Sequence, residues 1–274
     1  MGMSESDSEA QAVQYTPSPN GITTITLNRE GRRNAVDPAT AQLLYDAFLK
    51  FEKDNSQKVC VFHGANGTFC AGADLHSVAA SSLTSTPHFG AVLGCNIAPM
   101  GPSRMQISKP VICTVSGYAV AGGLELSLLA DMRVVEEGAI FGVFCRRFGV
   151  PLIDGGTVRL QAIVGLGRAM DLILTGRAVE AQEALAMGLA NRVVPKGKAF
   201  EEAMKIAEQL VGFPQECMNR DRTSAYNAAF GEGNFEDKMR FEFENARDVL
   251  HKESIEGARR FAGGAGRSGR FERL

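Results

Sequence analysis

The sequence predicts an α/β protein, with a core of strands and helices over residues 13–197 and a helical region over residues 198–262. Runs of β-branched and apolar residues recur up to residue 194, and most lead through a turn into a run of helical period. The 30 glycines suit a chain with many tight turns. After residue 198 only helical periodicity remains, so the strands are expected to end there.

The elements follow from local signals. Residues 13–15 and 22–27 are predicted to form a hairpin, because a turn signal lies between them. Asp37-Pro38 is predicted to open a helix as N-cap and first helical residue. Further strands are predicted at 59–64, 110–115, 132–135, 139–142 and 191–194. Further helices are predicted at 124–130, 157–164, 167–175, 180–187, 199–211, 215–230 and 234–252.

Three segments are expected to lack regular packing. Residues 1–12 are polar and acidic and are predicted to be a disordered tail. Residues 76–105 have weak periodicity and are expected to be mobile, with one or two short helices. Residues 263–274 are rich in glycine and arginine and are predicted to be a flexible tail.

Composition argues against several classes of function. A net charge of −2 gives no reason to expect a nucleic acid or an anionic membrane as partner. The polar N-terminus has no apolar signal segment, and no run is long enough to span a membrane. The six cysteines form no C-x-x-C pair, which is typical of reduced thiols in a cytoplasmic protein. No H-E-x-x-H motif is present, and no metal site is expected.

The stretch over residues 116–131 carries the first indication of chemistry. It turns at Gly117 and reaches Gly122-Gly123 before an apolar helical run, a geometry that leaves backbone N–H groups unpaired at the helix start. Glu125 is the only charged side chain between residues 116 and 130, and it is expected on the same side as the Gly122 N–H. The arrangement indicates proton transfer beside a polarised carbonyl. The alternative is that Glu125 is a solvated or capping residue.

A second glycine-bearing loop, residues 69–75, follows the predicted strand 59–64. Two N–H donors, one from each loop, would form an oxyanion hole if they converged on one oxygen. The motifs occur in the order Asn28-Arg29 with Arg33-Asn34-Ala35-Val36, Phe69 to Leu75, Gly117-Tyr118-Ala119 with Gly122-Gly123-Leu124-Glu125, Asp131, Gly155-Gly156-Thr157 with Arg159-Leu160, and Thr175-Gly176 with Ala184 and Gly188-Leu189-Ala190. In this order and spacing they resemble the crotonase family of enoyl-CoA hydratases and isomerases, over about residues 13–260.

The resemblance implies a crotonase-like ββα spiral core with a C-terminal helical trimerisation region, and a homotrimer or a dimer of trimers. It implies an acyl-CoA substrate whose thioester enolate is held by the N–H groups of Ala73 and Gly122. Coenzyme A enters as part of the substrate, and no separate cofactor is expected. The residues that the resemblance places along coenzyme A are Arg33 and Ala35 near the phosphates and Ala71, Asp74, Leu75 and His76 around the adenine and pantetheine. The alternative for Arg33 is a solvated surface arginine.

The sequence departs from the family at one catalytic position. Family hydratases use two glutamates to hold and split water; Glu125 matches the first, and the second falls on Cys145. A thiol is a weak hydrogen-bond donor and cannot anchor water as a carboxylate does, so Cys145 is either a buried thiol or a nucleophile. Asp154 is a candidate replacement acid, one residue beyond Ile153, where some relatives place one; the alternative is a helix cap.

The sequence therefore favours an enzyme of the enoyl-CoA hydratase type, a lyase. One alternative is a double-bond isomerase, or a hydrolase or decarboxylase of a CoA thioester, because one carboxylate can shuttle a proton without a fixed water. Another is a non-catalytic acyl-CoA-binding relative. An RNA-binding relative is disfavoured by the near-neutral charge. His88 is interpreted as a solvated loop residue, and Arg146-Arg147 could pair with Asp154 or with an acyl carboxylate.

Overall fold

The computed structural model describes residues 12–80 and 90–266. Residues 1–11, His88 and residues 267–274 lie outside the described residues, and the predictions made for them stay predictions. The chain divides into two compact units, one ending at Ala207 and the other beginning at Glu208. Within the described residues, no helix is both long and apolar enough to cross a bilayer.

The first unit is built on two sheets. The strands are β1 (Val13–Pro17), β2 (Ile22–Leu27), β3 (Val59–Gly64), β4 (Val111–Val115), β5 (Tyr118–Val120), β6 (Met132–Glu136), β7 (Ile140–Gly142), β8 (Ala178–Glu180) and β9 (Arg192–Val194). The larger sheet has the order β1-β2-β3-β4-β6-β9, and only the β1–β2 pair is antiparallel. The smaller sheet has the order β5-β7-β8.

The chain alternates between the two sheets. Strands β4 and β6 lie in the larger sheet, and β5 and β7, which follow them directly, lie in the smaller one. A helix follows each of these strand pairs, so two strands and one helix form each turn of a spiral. The buried side of the larger sheet is rich in β-branched residues, as expected for parallel strands covered on both faces.

The helices are α1 (Pro38–Lys53), α2 (Leu75–Ala80), α3 (Gly122–Ser127), α4 (Gly156–Val164), α5 (Leu166–Thr175), α6 (Ala181–Ala186), α7 (Ala199–Val211), α8 (Gln215–Phe230), α9 (Phe235–Val249) and α10 (Ile255–Ala262). Asp37 caps α1 as predicted, because its side chain accepts from the Thr40 N–H at 2.8 Å. Within the described ranges, 3₁₀ segments lie over Glu30–Arg32, Pro102–Arg104 and Phe144–Phe148, and a π-helical segment lies over Leu250–Ser254.

The second unit contains α8, α9 and α10. Helices α8 and α9 pack against each other, and Asn245 on α9 bonds the Arg220 carbonyl at 2.9 Å and the Ser224 hydroxyl at 3.0 Å. A capping box at Asn234 and Asp237 opens α9. The predicted single helix over residues 234–252 is instead α9 followed by the π-helical segment.

Two strands were not predicted from the sequence. Strands β5 and β8 have three residues each, too few for a period to emerge, and they form through pairing with β7. The helix predicted over residues 180–187 is therefore β8 followed by the shorter α6. The helix predicted over residues 124–130 begins earlier, at Gly122, and ends at Ser127.

We predict that Gly123→Ala destabilises the fold by about 1–3 kcal/mol, since a Cβ there would lie 2.1 Å from the Cys70 carbonyl oxygen. Gly167→Ala is the matched control, because no atom lies within 4 Å of its added Cβ and alanine favours its helix. Urea unfolding measures both. Equal stability of the two variants would contradict the close approach at Gly123.

Candidate active site

A short ladder joins the two glycine-bearing loops. The Cys70 N–H donates to the Tyr118 carbonyl at 2.8 Å, and the Val120 N–H donates to the Cys70 carbonyl at 3.1 Å. These bonds hold the turn at residues 71–74 beside the start of α3. The loops are 50 residues apart in sequence, and strand β5 is the element that brings them together.

Two backbone N–H groups lie close together at this junction. Gly72 has φ +99°, and a Cβ on it would lie 3.1 Å from the Gly122 nitrogen, so only glycine fits here. Val36 bonds the Gly72 carbonyl and the Asp74 N–H, both at 2.8 Å, which turns the intervening Ala73 N–H away from it. Neither the Ala73 nor the Gly122 N–H donates to another described residue.

Glu125 is buried at the inner end of this junction, with 3% of its surface exposed. Its Oε1 accepts the N–H groups of Asp154 and Gly156, each at 2.9 Å, while Oε2 accepts no bond from a described residue. Burial, and then the charge of Asp154, raise the pKa of Glu125 from 4.5 to about 8. The carboxyl is therefore mainly protonated at neutral pH.

Asp154 is equally buried, and the described residues that bond its carboxylate do so at one oxygen. Its Oδ1 accepts the Met100 N–H at 2.9 Å and the Ser103 hydroxyl. Burial raises the pKa of Asp154, while Ser103, Met100 and two arginines, Arg104 and Arg159, oppose the rise. The interpretation of Asp154 as a helix cap is wrong, because the N-cap of α4 is Gly155 and no side chain bonds there.

Cys145 lies in the 3₁₀ segment Phe144–Phe148 and is buried. Burial and the neighbouring charge of Glu125 raise the pKa of the thiol, so it is neutral beside Glu125. The two arginines that follow it do not pair with Asp154. Arg146 bonds the Ile173 carbonyl at 3.0 Å, and Arg147 bonds the Gly176 carbonyl at 3.3 Å.

The residues that the resemblance assigned to coenzyme A lie along the first two motifs. Arg33 is exposed and has a left-handed backbone, and its carbonyl accepts the Ala71 N–H at 3.1 Å. Ala35 is buried, whereas Leu75 and His76 are exposed at the start of α2. The structure thus brings these backbone segments together at one edge of the site.

Asp74 and the residue that binds it have a structural role that sequence reasoning missed. Arg29 contacts the Asp74 carboxylate at 3.3 Å and the Asp37 carboxylate at 2.5 Å, and it bonds the Ala35 carbonyl. The other Asp74 oxygen accepts the His76 N–H at 3.1 Å. Nothing local in the Asn28-Arg29 motif signals these contacts.

Met100 and Ser103 were also missed, because they lie in the weakly periodic segment, more than 50 residues from Asp154. Their contact with Asp154 depends on the folded chain and has no local signal. Among the residues described, no group of three or more histidine, cysteine, aspartate or glutamate side chains is arranged to hold a metal ion.

Comparison with known proteins identifies the family. The enoyl-CoA hydratase/isomerase family model matches residues 18–265. The chain belongs to this family. It is 33% identical over 193 residues to the enoyl-CoA hydratase EchA19 of Mycobacterium tuberculosis, covering 68% of this chain and 70% of the relative. It is 35% identical over 187 residues to the 2,3-dehydroadipyl-CoA hydratase of Escherichia coli, covering 68% and 71%.

Solved structures agree with this assignment. The enoyl-CoA hydratase EchA1 of Mycobacterium marinum has a TM-score of 0.83 at 28% identity, over 92% of this chain and 96% of that one. An enoyl-CoA hydratase of Mycobacterium tuberculosis has a TM-score of 0.82 with the same coverage. These findings confirm the crotonase fold and an acyl-CoA enzyme of the enoyl-CoA hydratase type.

The raised pKa of Glu125 predicts a loss of stability on raising the pH. The folded state holds a proton that the unfolded carboxyl releases above its ordinary pKa, so stability falls as pH rises from about 4.5 to about 8. Glu125→Gln removes this pH dependence of the free energy of unfolding, which amounts to at most ~1.4 kcal/mol per pH unit. Urea midpoints at several pH values measure it. Parallel curves for the wild type and the variant would contradict the shift.

Proposed function

We propose that the protein adds water across the double bond of an enoyl-CoA, with Glu125 and Asp154 as its acid and base. One observation carries the proposal. Two buried carboxyl groups each have one oxygen held by N–H or O–H donors and one that accepts no bond from the described residues. The N–H groups of Ala73 and Gly122, which donate to no described residue, lie at the same junction, where they would hold the thioester oxygen.

The surroundings of the two carboxyl groups support different protonation states. Asp154 has a hydroxyl donor and a backbone donor on one oxygen, and two guanidinium groups nearby, all of which favour its charge. Glu125 accepts two backbone N–H groups from the described residues, has the single guanidinium of Arg159 to favour its charge, and lies beside the Asp154 charge. At neutral pH Glu125 would therefore hold a proton on Oε2, and Asp154 would be ionised.

This pair can carry out hydration in balanced steps. Asp154 takes a proton from water as the water oxygen bonds the β-carbon, and the alkene electron pair moves to the thioester oxygen. The N–H groups of Ala73 and Gly122 stabilise the resulting enolate. Glu125 gives its proton to the α-carbon as the carbonyl re-forms. Return of the proton from Asp154 to Glu125 restores the starting state.

Cys145 does not replace the missing second glutamate in this scheme. A neutral, buried thiol can neither accept the proton of water nor orient it as a carboxylate does. A double-bond isomerase is the second candidate, because Glu125 alone could move a proton between two carbons.

The first experiment follows the loss of enoyl-thioester absorbance when the protein meets crotonyl-CoA. We expect hydration by the wild type, and a fall in kcat of about 10²–10⁴-fold in Glu125→Gln and in Asp154→Asn. Cys145→Ser is the matched control, and its kcat should fall by less than the ~10²-fold that loss of an acid or base costs.

Two further substrates separate the alternatives. Conversion of a 3-enoyl-CoA to its 2-enoyl isomer, with crotonyl-CoA left unchanged, would indicate that the protein is an isomerase and not a hydratase. Release of the free thiol of coenzyme A would indicate hydrolysis. Binding of crotonyl-CoA without any turnover would leave the non-catalytic interpretation in place of the proposal.

We also propose that coenzyme A lies along Arg33, Ala35, Ala71, Asp74, Leu75 and His76. We propose in addition that the protein is cytoplasmic. We propose further that it forms a homotrimer or a dimer of trimers. The exposed backbone turn at Arg33 supports the first point. Six cysteines without disulfides support a reducing compartment. An apolar stripe on α9, formed by Phe235, Met239 and Phe243, supports self-association, since its side chains are 47–80% exposed.

Sedimentation tests the assembly. We expect the wild type to have three or six times the 29.3 kDa chain mass. Phe235→Ser with Phe243→Ser should shift it toward smaller species, because the stripe loses most of its apolar area. Glu236→Ser, an exposed change on the same helix, is the control. A monomeric wild type would contradict the proposal.

A further inference from the structure

We infer that Ser103 is a positioning residue that keeps Asp154 ionised and thereby assigns the shared proton of the carboxyl pair to Glu125. The inference rests on the proposed function, because it concerns the same two carboxyl groups. The inference goes beyond the proposed function because it gives a role to Ser103, which neither the motifs nor the resemblance indicated.

The first support is the contact itself. Ser103 is 2% exposed and lies in the 3₁₀ segment Pro102–Arg104. Its hydroxyl donates to Asp154 Oδ1, the oxygen that also accepts the Met100 N–H. Arg159 bonds the Ser103 carbonyl at 2.8 Å and the Asp154 carbonyl at 3.4 Å, so it clamps the two backbones together. The hydroxyl is therefore held in place by its backbone.

The second support is the rigidity of the turn that carries Ser103. Ala98 and Gly101 exchange two backbone hydrogen bonds, at 2.9 and 2.8 Å. Gly101 has φ +81°, and a Cβ on it would lie 2.4 Å from the Ala41 carbonyl, so the turn is pressed against α1 and requires glycine. Such a turn fixes the direction of the hydroxyl before substrate binds.

The same turn also contacts the predicted oxyanion donor. A Cβ on Gly122 would lie 2.6 Å from the Met100 sulfur, so the Met100 side chain packs directly on this glycine. Met100 thus contacts Gly122 through its side chain and Asp154 through its backbone. One rigid turn therefore positions both the second carboxylate and the start of α3.

The charge balance explains why a single hydroxyl matters. Among the described residues, the titratable and charged groups that face the pair are Cys145, Arg104 and Arg159. Within the described residues, Ser103 supplies the side-chain hydrogen bond to Asp154, and a hydroxyl donor favours the charged form of a carboxylate. Without it, the pKa of Asp154 rises toward that of Glu125, and the proton is shared between the two groups.

The test is the pH profile of kcat for Ser103→Ala, with Ser103→Thr as the variant that keeps the hydroxyl. Hydration needs ionised Asp154, so the acidic limb should move to higher pH by about one unit in Ser103→Ala. The basic limb reports loss of the last proton of the pair, which stays mainly on Glu125, so it should move much less than the acidic limb. Ser103→Thr should restore the acidic limb.

A merely structural role would lower kcat by the same factor at every pH, and that result would overturn the inference. A measurement that does not depend on turnover distinguishes failure of the inference about Ser103 from failure of the proposed function. The carboxyl ¹³C resonances of Asp154 and Glu125, assigned with Asp154→Asn and Glu125→Gln, are titrated in the wild type and in Ser103→Ala. If the wild type does not hydrate crotonyl-CoA, an unchanged Asp154 titration would still overturn the role of Ser103.

Discussion

The structure of the site depends on one buried oxygen, Glu125 Oε1, which accepts the N–H groups of Asp154 and Gly156. These bonds join α3 to the loop before α4 across about 30 residues of sequence. They require glycine at position 156, because a Cβ there would lie 2.9 Å from Oε1. Burial of the carboxyl, followed by the neighbouring charge of Asp154, is also what raises its pKa, so packing and chemistry have the same cause.

If the second glutamate of family hydratases falls on Cys145, as the resemblance implies, this constraint explains how the chain keeps two carboxyl groups in the site. The loop that must bring residues 154 and 156 to Glu125 also carries the Asp154 side chain into the interior, whereas Ile153 beside it is 44% exposed. Position 145 can hold a cysteine with a neutral thiol, because the backbone bonds to Glu125 do not involve this position. The departure from the family pattern is therefore compatible with the fold.

Much of the fold could be predicted from the sequence because its signals are local. Strands β2, β3 and β4 are continuous apolar or β-branched runs, and Asp37-Pro38 marks the start of α1. Strand β5 could not be predicted, because three residues form a strand only where β7 lies beside them. The spacing of Gly122 and Glu125 was informative because it lies within one helical turn.

The environment of Asp154 shows where such prediction ends. An aspartate before two glycines at a helix start is commonly a cap, and the sequence leaves this interpretation open beside that of a replacement acid. The left-handed Gly155 removes that role, and a turn more than 50 residues earlier supplies the donors instead. A carboxylate whose partners come from a distant turn can be positioned independently of its own helix. That independence allows Glu125 and Asp154, both buried, to have different donors around them, which is the physical basis of the protonation states proposed for the two groups.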